Sequence, residues 1–162
     1  PRGAIVRVNF NQGFKVPEMV KRRLCVVLSP PIKARRGLCT IVPLSRTAPE
    51  PVMPYHYEFQ IPFQMPPKWG NASRWLKGDM VCAVGFHRID LLRLGKDRNG
   101  ARQYQLNTLS KIHLRNISNC VLAGNRLTIF DIVGMIAHTI VVVALTSSAL
   151  RPCQGPLADE AK

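Results

Sequence analysis

Short apolar runs separated by turn residues dominate the first half of the chain, and their lengths predict strands rather than helices. Gly3 to Phe10 (GAIVRVNF) mixes β-branched and aromatic residues with partial alternation, and the cluster Asn11-Gln12-Gly13 after it reads as a turn. Asn11 to Arg23 carries Gly, Pro and charge with little apolar periodicity, which predicts a loop ending in a basic cluster. Leu24 to Ser29 (LCVVLS) is a continuous apolar run closed by Pro30-Pro31, the pattern of a strand buried on both faces. Leu38 to Leu44 (LCTIVPL) repeats that pattern after the basic turn Lys33 to Gly37, so the two runs are expected to pair as a hairpin.

Seven prolines between Pro43 and Pro67 exclude a long helix there and allow only short or edge strands such as Tyr55 to Ile61. Gly78 to Phe86 (GDMVCAVGF) is a further strand expectation, and Gly95 to Gly100 a turn. Leu106 to Leu122 then changes period: Leu106, Leu109, Ile112, Ile117, Cys120 and Val121 fall near one helical face, with Asn107 or Thr108 to cap the start and Gly124 to end it. Short strands followed by one amphipathic helix predict a small β-barrel closed by a helix. Residues 132–150 (IVGMIAHTIVVVALTSSAL) are free of formal charge and about as long as a bilayer is thick, flanked by Arg126 and Arg151. A membrane-associated helix is one reading of that segment. His138, the Thr and Ser residues and the β-branched run Ile140 to Val143 weigh against it and toward a packed helix or strand, or an appended tail.

Composition adds a partner class. A chain of 162 residues supports one compact domain plus a tail, and its 23 Lys and Arg against 9 Asp and Glu leave a net charge of +14. That charge implies a polyanionic partner, nucleic acid or an acidic protein. Its distribution is uneven: between Met19 and Pro49 stand Lys21, Arg22, Arg23, Lys33, Arg35, Arg36 and Arg46 with no acidic residue. Five cysteines without a CxxC pair argue against a zinc site and against a disulfide framework. With no secretory segment ahead of the fold, a reducing cytoplasm is the expected setting. None of the four histidines has the spacing of a metal pair, and no P-loop, GxGxxG or nucleophile elbow occurs, so no cofactor and no metal are implied.

The order GAIVRVNF, then PEMVKRRLCVVLSP, then GLCTIVPLS resembles the start of the PemK/MazF toxins. Those open with a "G-x-I-x-x-V-x-F"-like strand, pass through a Glu-bearing loop into an "R-P-V-V-V-L-S"-like strand, and reach a "V-P-L-[ST]" strand end. The later segment WLKGDMVCAVGFHRIDLLRLG looks like a long-loop branch of the same family, and the terminal helix matches its C-terminal helix. The likeness covers residues 3–123, which puts a toxin domain at 1–124 and a hydrophobic tail, to which the sequence assigns no role, at 125–162. What the resemblance implies is a mainly β, SH3-like antiparallel barrel with a C-terminal helix. It also implies a type II toxin acting as a homodimer: an endoribonuclease that cuts single-stranded RNA without a metal, leaving a 2′,3′-cyclic phosphate, and is neutralised by an acidic antitoxin.

Such chemistry needs a base for the 2′-OH, an acid for the leaving 5′-oxygen, and cations around the phosphorane. Arg23 stands where the family has its strand-opening arginine, whose guanidinium can hold two phosphate oxygens; the alternative is a general phosphate contact within the cluster of Lys21 and Arg22. Ser45 occupies the Thr/Ser position after VPL, as a phosphate donor, as a residue that orients Arg23, or as a strand-end serine closing a turn. Glu18 is a base by resemblance, or else an ion-pair partner of Lys21 or Arg22. The sequence also departs from the family. Leu24 replaces a proline, and the Asp/Arg pair some members carry before a "T-I-D"-like segment has no match, because aligning Ile89-Asp90 puts Val84 and Cys82 there. His87 and Arg88 lie nearby as substitutes, His87 for acid–base work or as a surface residue. Trp75 and Lys77 could stack a base and hold its phosphate, and Arg46 extends the basic surface. Two other functions stay open: a barrel that binds RNA or protein without turnover, and a gyrase-directed toxin of the same fold.

Overall fold

The computed structural model describes residues 1–126 apart from residues 12, 31–33 and 35. The chain divides into two units, Pro1–Arg126 and Leu127–Lys162. The membrane reading of residues 132–150 therefore falls outside the described residues, as do Lys33 and Arg35. Among the described residues no helix is long and apolar enough to cross a membrane.

β1 (Ile5–Asn9), β2 (Arg22–Val27) and β3 (Leu38–Ser45) form an antiparallel centre in which Val8 faces Arg23 and Leu24 faces Leu44. The expected hairpin of the two apolar runs is β2 and β3. Each of these strands is apolar on both sides because the sheet has a core on both faces. Ile5, Leu24, Val26, Val42 and Leu44 join Phe59, Leu76, Leu92 and Ile117 on one face. Val6, Val8, Phe10, Cys25, Val27, Cys39 and Ile41 form the other with Val84.

β4 (His56–Phe59) and β5 (Arg74–Lys77) extend the sheet from β3, β6 (Cys82–Gly85) pairs with the opposite end of β3, and β7 (Ile89–Asp90) pairs with β1. β3 reaches two partners because its eight residues are long enough to pair β5 at Leu44–Ser45 and β6 at Leu38–Ile41. The hydrogen-bonded order β4-β5-β3-β2-β1-β7 is an open path. The SH3-like class, mainly antiparallel β with one C-terminal helix, is what the chain forms, without ladder closure among the described residues. β8 (Arg93–Lys96) and β9 (Arg102–Tyr104) make a separate two-stranded ribbon around the expected turn.

Two expectations are corrected. Gly78–Phe86 is not one strand: Gly78–Met80 is a 3₁₀ turn and only Cys82–Gly85 is extended. The reason is the helix α1 (Lys111–Gly124), whose Cys120 carbonyl lies 2.6 Å from where a Cβ on Gly78 would stand. The helix also starts later than the apolar spacing predicts. Thr108 bridges to Ala4 and the Leu109 N–H donates to the Gly3 carbonyl (3.0 Å), so the chain stays extended until Ser110, whose Oγ caps the His113 N–H. With that start, Ile117 and Cys120 point inward, while Leu106 and Ile112 are exposed.

Candidate nucleic-acid interface

The basic cluster that ends the first loop becomes the first residues of β2, so the β-ladder holds it in place. Arg23 is half-buried, and its Nε donates to the Val20 carbonyl at 3.2 Å. That bond fixes the plane of the guanidinium and leaves both Nη groups without a hydrogen-bond partner among the described residues. Val20, not Ser45, orients Arg23.

Two adjoining clefts share Arg23, Leu44 and Thr47 as walls. The first, of about 230 Å³, is lined by Arg22, Arg23, Arg46 and Arg74 with Trp69 and no carboxylate. The second, of about 320 Å³, adds Glu18, Ser45, Lys77 and Met80. Four arginines around one hollow repel each other, and an anion there would relieve that repulsion.

Ser45 ends β3 in a local turn: its Oγ donates to the Thr47 carbonyl and accepts the Thr47 N–H, each at 3.1 Å. The hydroxyl proton is thus engaged, and the turn presents Thr47 to both clefts. Glu18 takes the Lys15 N–H on Oε2 at 2.8 Å and forms no ion pair with Lys21 or Arg22; among the described residues the salt bridge is that of Arg7 with Asp90. Its other oxygen has no hydrogen-bond partner among the described residues.

The remaining sequence-predicted residues are elsewhere. Lys21 is exposed, with a left-handed backbone (φ 70°) that lets its carbonyl accept the Phe10 N–H at 2.9 Å. Arg88 packs over the Phe14 ring, 5.3 Å from its centre, and reaches the Asn9 carbonyl, so it braces the first loop. Trp75 pairs across the sheet with Ser45 and Glu58 and lines neither cleft. His87 sits in the 3₁₀ turn Phe86–Arg88, against Gly85. It borders neither cleft.

The sequence of residues 1–121 matches the model of the PemK-like, MazF-like toxins of type II toxin–antitoxin systems. The chain belongs to that family. No curated protein sequence matches it. Among solved structures it is similar to MazF (Form-I) from Deinococcus radiodurans, at 20% identity over 75% of this chain and 92% of that one, with a TM-score of 0.49. An endoribonuclease in complex with its cognate antitoxin from a mycobacterial species is similar at 13% identity over 78% and 95%, with a TM-score of 0.48. The Mycobacterium tuberculosis toxin MazF-mt6 follows at 8% identity over 77% and 99%, with a TM-score of 0.46.

Arg74 is the residue of this PemK/MazF-family chain that sequence reasoning missed. It is 1% exposed, and its guanidinium donates to the carbonyls of Trp69 and Ser73. Burial, with the neighbouring Arg46, lowers its pKa from the usual arginine value. The available signal was the alternation Arg74-Trp75-Leu76-Lys77, which places Arg74 on the inward side with Leu76. Thr47 was missed because it stands beyond the strand, brought in by the Ser45 turn.

Proposed function

We propose that the chain is an endoribonuclease toxin of a type II toxin–antitoxin system, cutting single-stranded RNA without a metal. The observation that supports this reading is Arg23 on the wall shared by a carboxylate-free arginine hollow and a cleft holding Glu18, Ser45, Thr47 and Lys77. A scissile phosphate against Arg23 accepts from both Nη groups, and Arg22, Arg46 and Arg74 take the neighbouring negative charge. The Glu18 carboxylate accepts the 2′-OH proton as the 2′-oxygen bonds to phosphorus. The bond from phosphorus to the 5′-oxygen breaks, the Lys77 ammonium supplies the proton to that oxygen, and a 2′,3′-cyclic phosphate remains. Ser45 acts as a positioning residue through Thr47, whose backbone it holds at the wall of both clefts.

The same reading takes an acidic antitoxin segment as the ligand that fills the arginine hollow, and a second copy as the partner of the apolar groove rimmed by Leu38, Phe86 and Leu91. It places the protein in the cytoplasm and ends the toxin domain near Gly124, with residues 125–162 outside it.

The test is incubation of purified protein with a long single-stranded RNA in excess EDTA, beside Arg23→Ala and Glu18→Gln. Discrete cuts with cyclic-phosphate ends are expected, reduced roughly 10²–10³-fold in the arginine variant, the usual loss when one oxyanion donor is removed. Salt-sensitive binding without cutting would leave an RNA-binding module in place of an enzyme.

A further inference from the structure

The β8–β9 ribbon lies outside both clefts and carries its own concentration of charge. Its antiparallel register pairs Arg93 with Tyr104, Gly95 with Gln103, and Lys96 with Arg102, with an irregularity between Arg93 and Gly95. Side chains directly opposite each other in an antiparallel pair lie on the same face, and so do residues two apart on one strand. Arg102 and Tyr104 therefore share a face, and their partners Lys96 and Arg93 share it with them. Arg93 and Lys96 are three positions apart and would stand on opposite faces of a regular strand; the bulge at Leu94 brings them together. All four side chains are exposed.

This arrangement has an electrostatic cost that no salt bridge among the described residues relieves. Lys96 and Arg102 are like charges directly across the ladder, which weakens a strand pair. Asp97 is the acid within the ribbon, and its Oδ1 already accepts the N–H groups of Asn99 (2.9 Å) and Ala101 (2.8 Å) to shape the turn. None of Arg93, Lys96, Arg98 or Arg102 is in a salt bridge among the described residues. A two-stranded ribbon is marginal alone, yet this one is rooted firmly. The Gln105 N–H donates to the Leu92 carbonyl at 2.8 Å, and the buried Gln105 side chain donates to the Gln64 carbonyl (2.8 Å) and accepts the Asn107 N–H (2.7 Å). Its base is built into the core while its cationic face is exposed and, among the described residues, free of salt bridges.

We propose that this face is a second contact for single-stranded RNA, with Arg93, Lys96 and Arg102 on successive phosphates and a base stacked on Tyr104. The proposal rests on the RNA reading above and adds to it a grip remote from the cleavage clefts. Cations interleaved with an exposed aromatic ring suit a single strand, whose bases are free to stack and whose phosphates are close enough to be gripped in turn. An acidic protein segment would satisfy the charges but gives Tyr104 no role.

The experiment measures binding of 2′-O-methyl RNA, which cannot be cut, to wild type and to a triple variant Arg93→Gln, Lys96→Gln, Arg102→Gln, with Tyr104→Leu separately. Oligonucleotides of about 6 nucleotides, enough for one site, and about 30 nucleotides, enough for two, are compared. Binding of the longer RNA should weaken, and the slope of log affinity against log salt should fall by about 2, since each cation on a single strand contributes roughly 0.7. Tyr104→Leu should cost roughly tenfold on the longer RNA with the slope unchanged. Affinity for the shorter RNA, and cleavage of a short unmodified substrate, should stay at wild-type values. An unchanged salt slope in the triple variant of a protein that still cuts RNA overturns the ribbon proposal alone. A wild type that neither binds nor cuts RNA overturns it together with the proposed function. A ribbon whose substitutions weaken only an acidic peptide is a protein-docking surface instead, and this too overturns the proposal.

Discussion

Gly78→Ala is the substitution whose effect the structure specifies most closely. A Cβ at that position would stand 2.6 Å from both the carbon and the oxygen of the Cys120 carbonyl and 2.9 Å from the Tyr55 carbonyl oxygen. All three are backbone atoms, so no rotamer change can clear them, and α1 must move away from the 3₁₀ turn by several tenths of an ångström. Overpacking of this kind costs about 1–3 kcal/mol. The alanine returns about 0.4–1 kcal/mol by restricting the unfolded chain, but Gly78 also donates its N–H to Tyr55 (2.9 Å), a bond the shift would strain. The net expectation is about 2 kcal/mol, roughly 5–10 °C in Tm for a domain of this size. Gly124→Ala meets the same seam from the other side, at 2.7 Å from the Asp79 nitrogen. It should cost less, about 1 kcal/mol, because alanine favours the helix and the last helical turn can unwind. Urea unfolding of each variant, read as a shift in midpoint at constant slope, measures both. A Gly78→Ala protein within about 0.5 kcal/mol of wild type would refute the reasoning, because the helix would then not be pinned where the contacts place it.

Three further outcomes follow from groups named above. Arg74→Met should destabilise the fold by about 1–3 kcal/mol, because the carbonyls of Trp69 and Ser73 lose a buried donor; a thermal melt unchanged from wild type would remove Arg74 as the tie of that loop. His56 has its pKa lowered by burial and further by Lys77, against an opposing pull from Asp79, and its Nδ1 accepts the Met53 N–H at 3.1 Å. A histidine held neutral in this way contributes stability that is present above the ordinary imidazole pKa and is lost as pH falls through the lower folded value. Urea midpoints should therefore fall between pH 7.5 and pH 5 by more in wild type than in His56→Gln, and equal falls would exclude the effect. Burial raises the Cys25 thiol well above its usual pKa, with Cys82 and Cys39 adding and Arg23 opposing weakly; site-resolved alkylation should find it unreactive until the chain unfolds, and rapid labelling of native protein would contradict its placement.

The parts of this molecule that could be read from the sequence are those where burial alone decides. β1, β2 and β3 are apolar on both sides because the sheet has two cores, and a continuous apolar run reports that directly. Hydrophobic spacing failed where backbone pairing overrode side-chain periodicity, as at Thr108 and Leu109, whose bonds to Ala4 and Gly3 delay the helix past Leu106. It failed again at Gly78, where a close approach between backbones leaves no apolar signature. The strands β5, β7, β8 and β9 escaped because they are short and, in β8 and β9, charged and exposed.

The candidate site divides along the same line. Arg22, Arg23, Ser45 and Arg46 lie at the ends of strands set by the core, so their neighbourhood follows once the hairpin of β2 and β3 is known. Glu18 and Lys77 reach the same cleft through a loop and the end of the short strand β5, positions that their residue types suggested and their periodicity did not. His87 is a residue type suited to acid–base work, but the backbone carries it into the turn before β7, where it borders neither cleft. Charge in this chain is therefore informative about partners and poorly informative about place. The same excess of cations supplies an arginine hollow that the hairpin and β5 gather and a bulged ribbon whose alignment only the register reveals. Removing charge at Arg23 and removing it along Arg93, Lys96 and Arg102 should accordingly separate cleavage from grip, which no uniform reading of a +14 surface would predict.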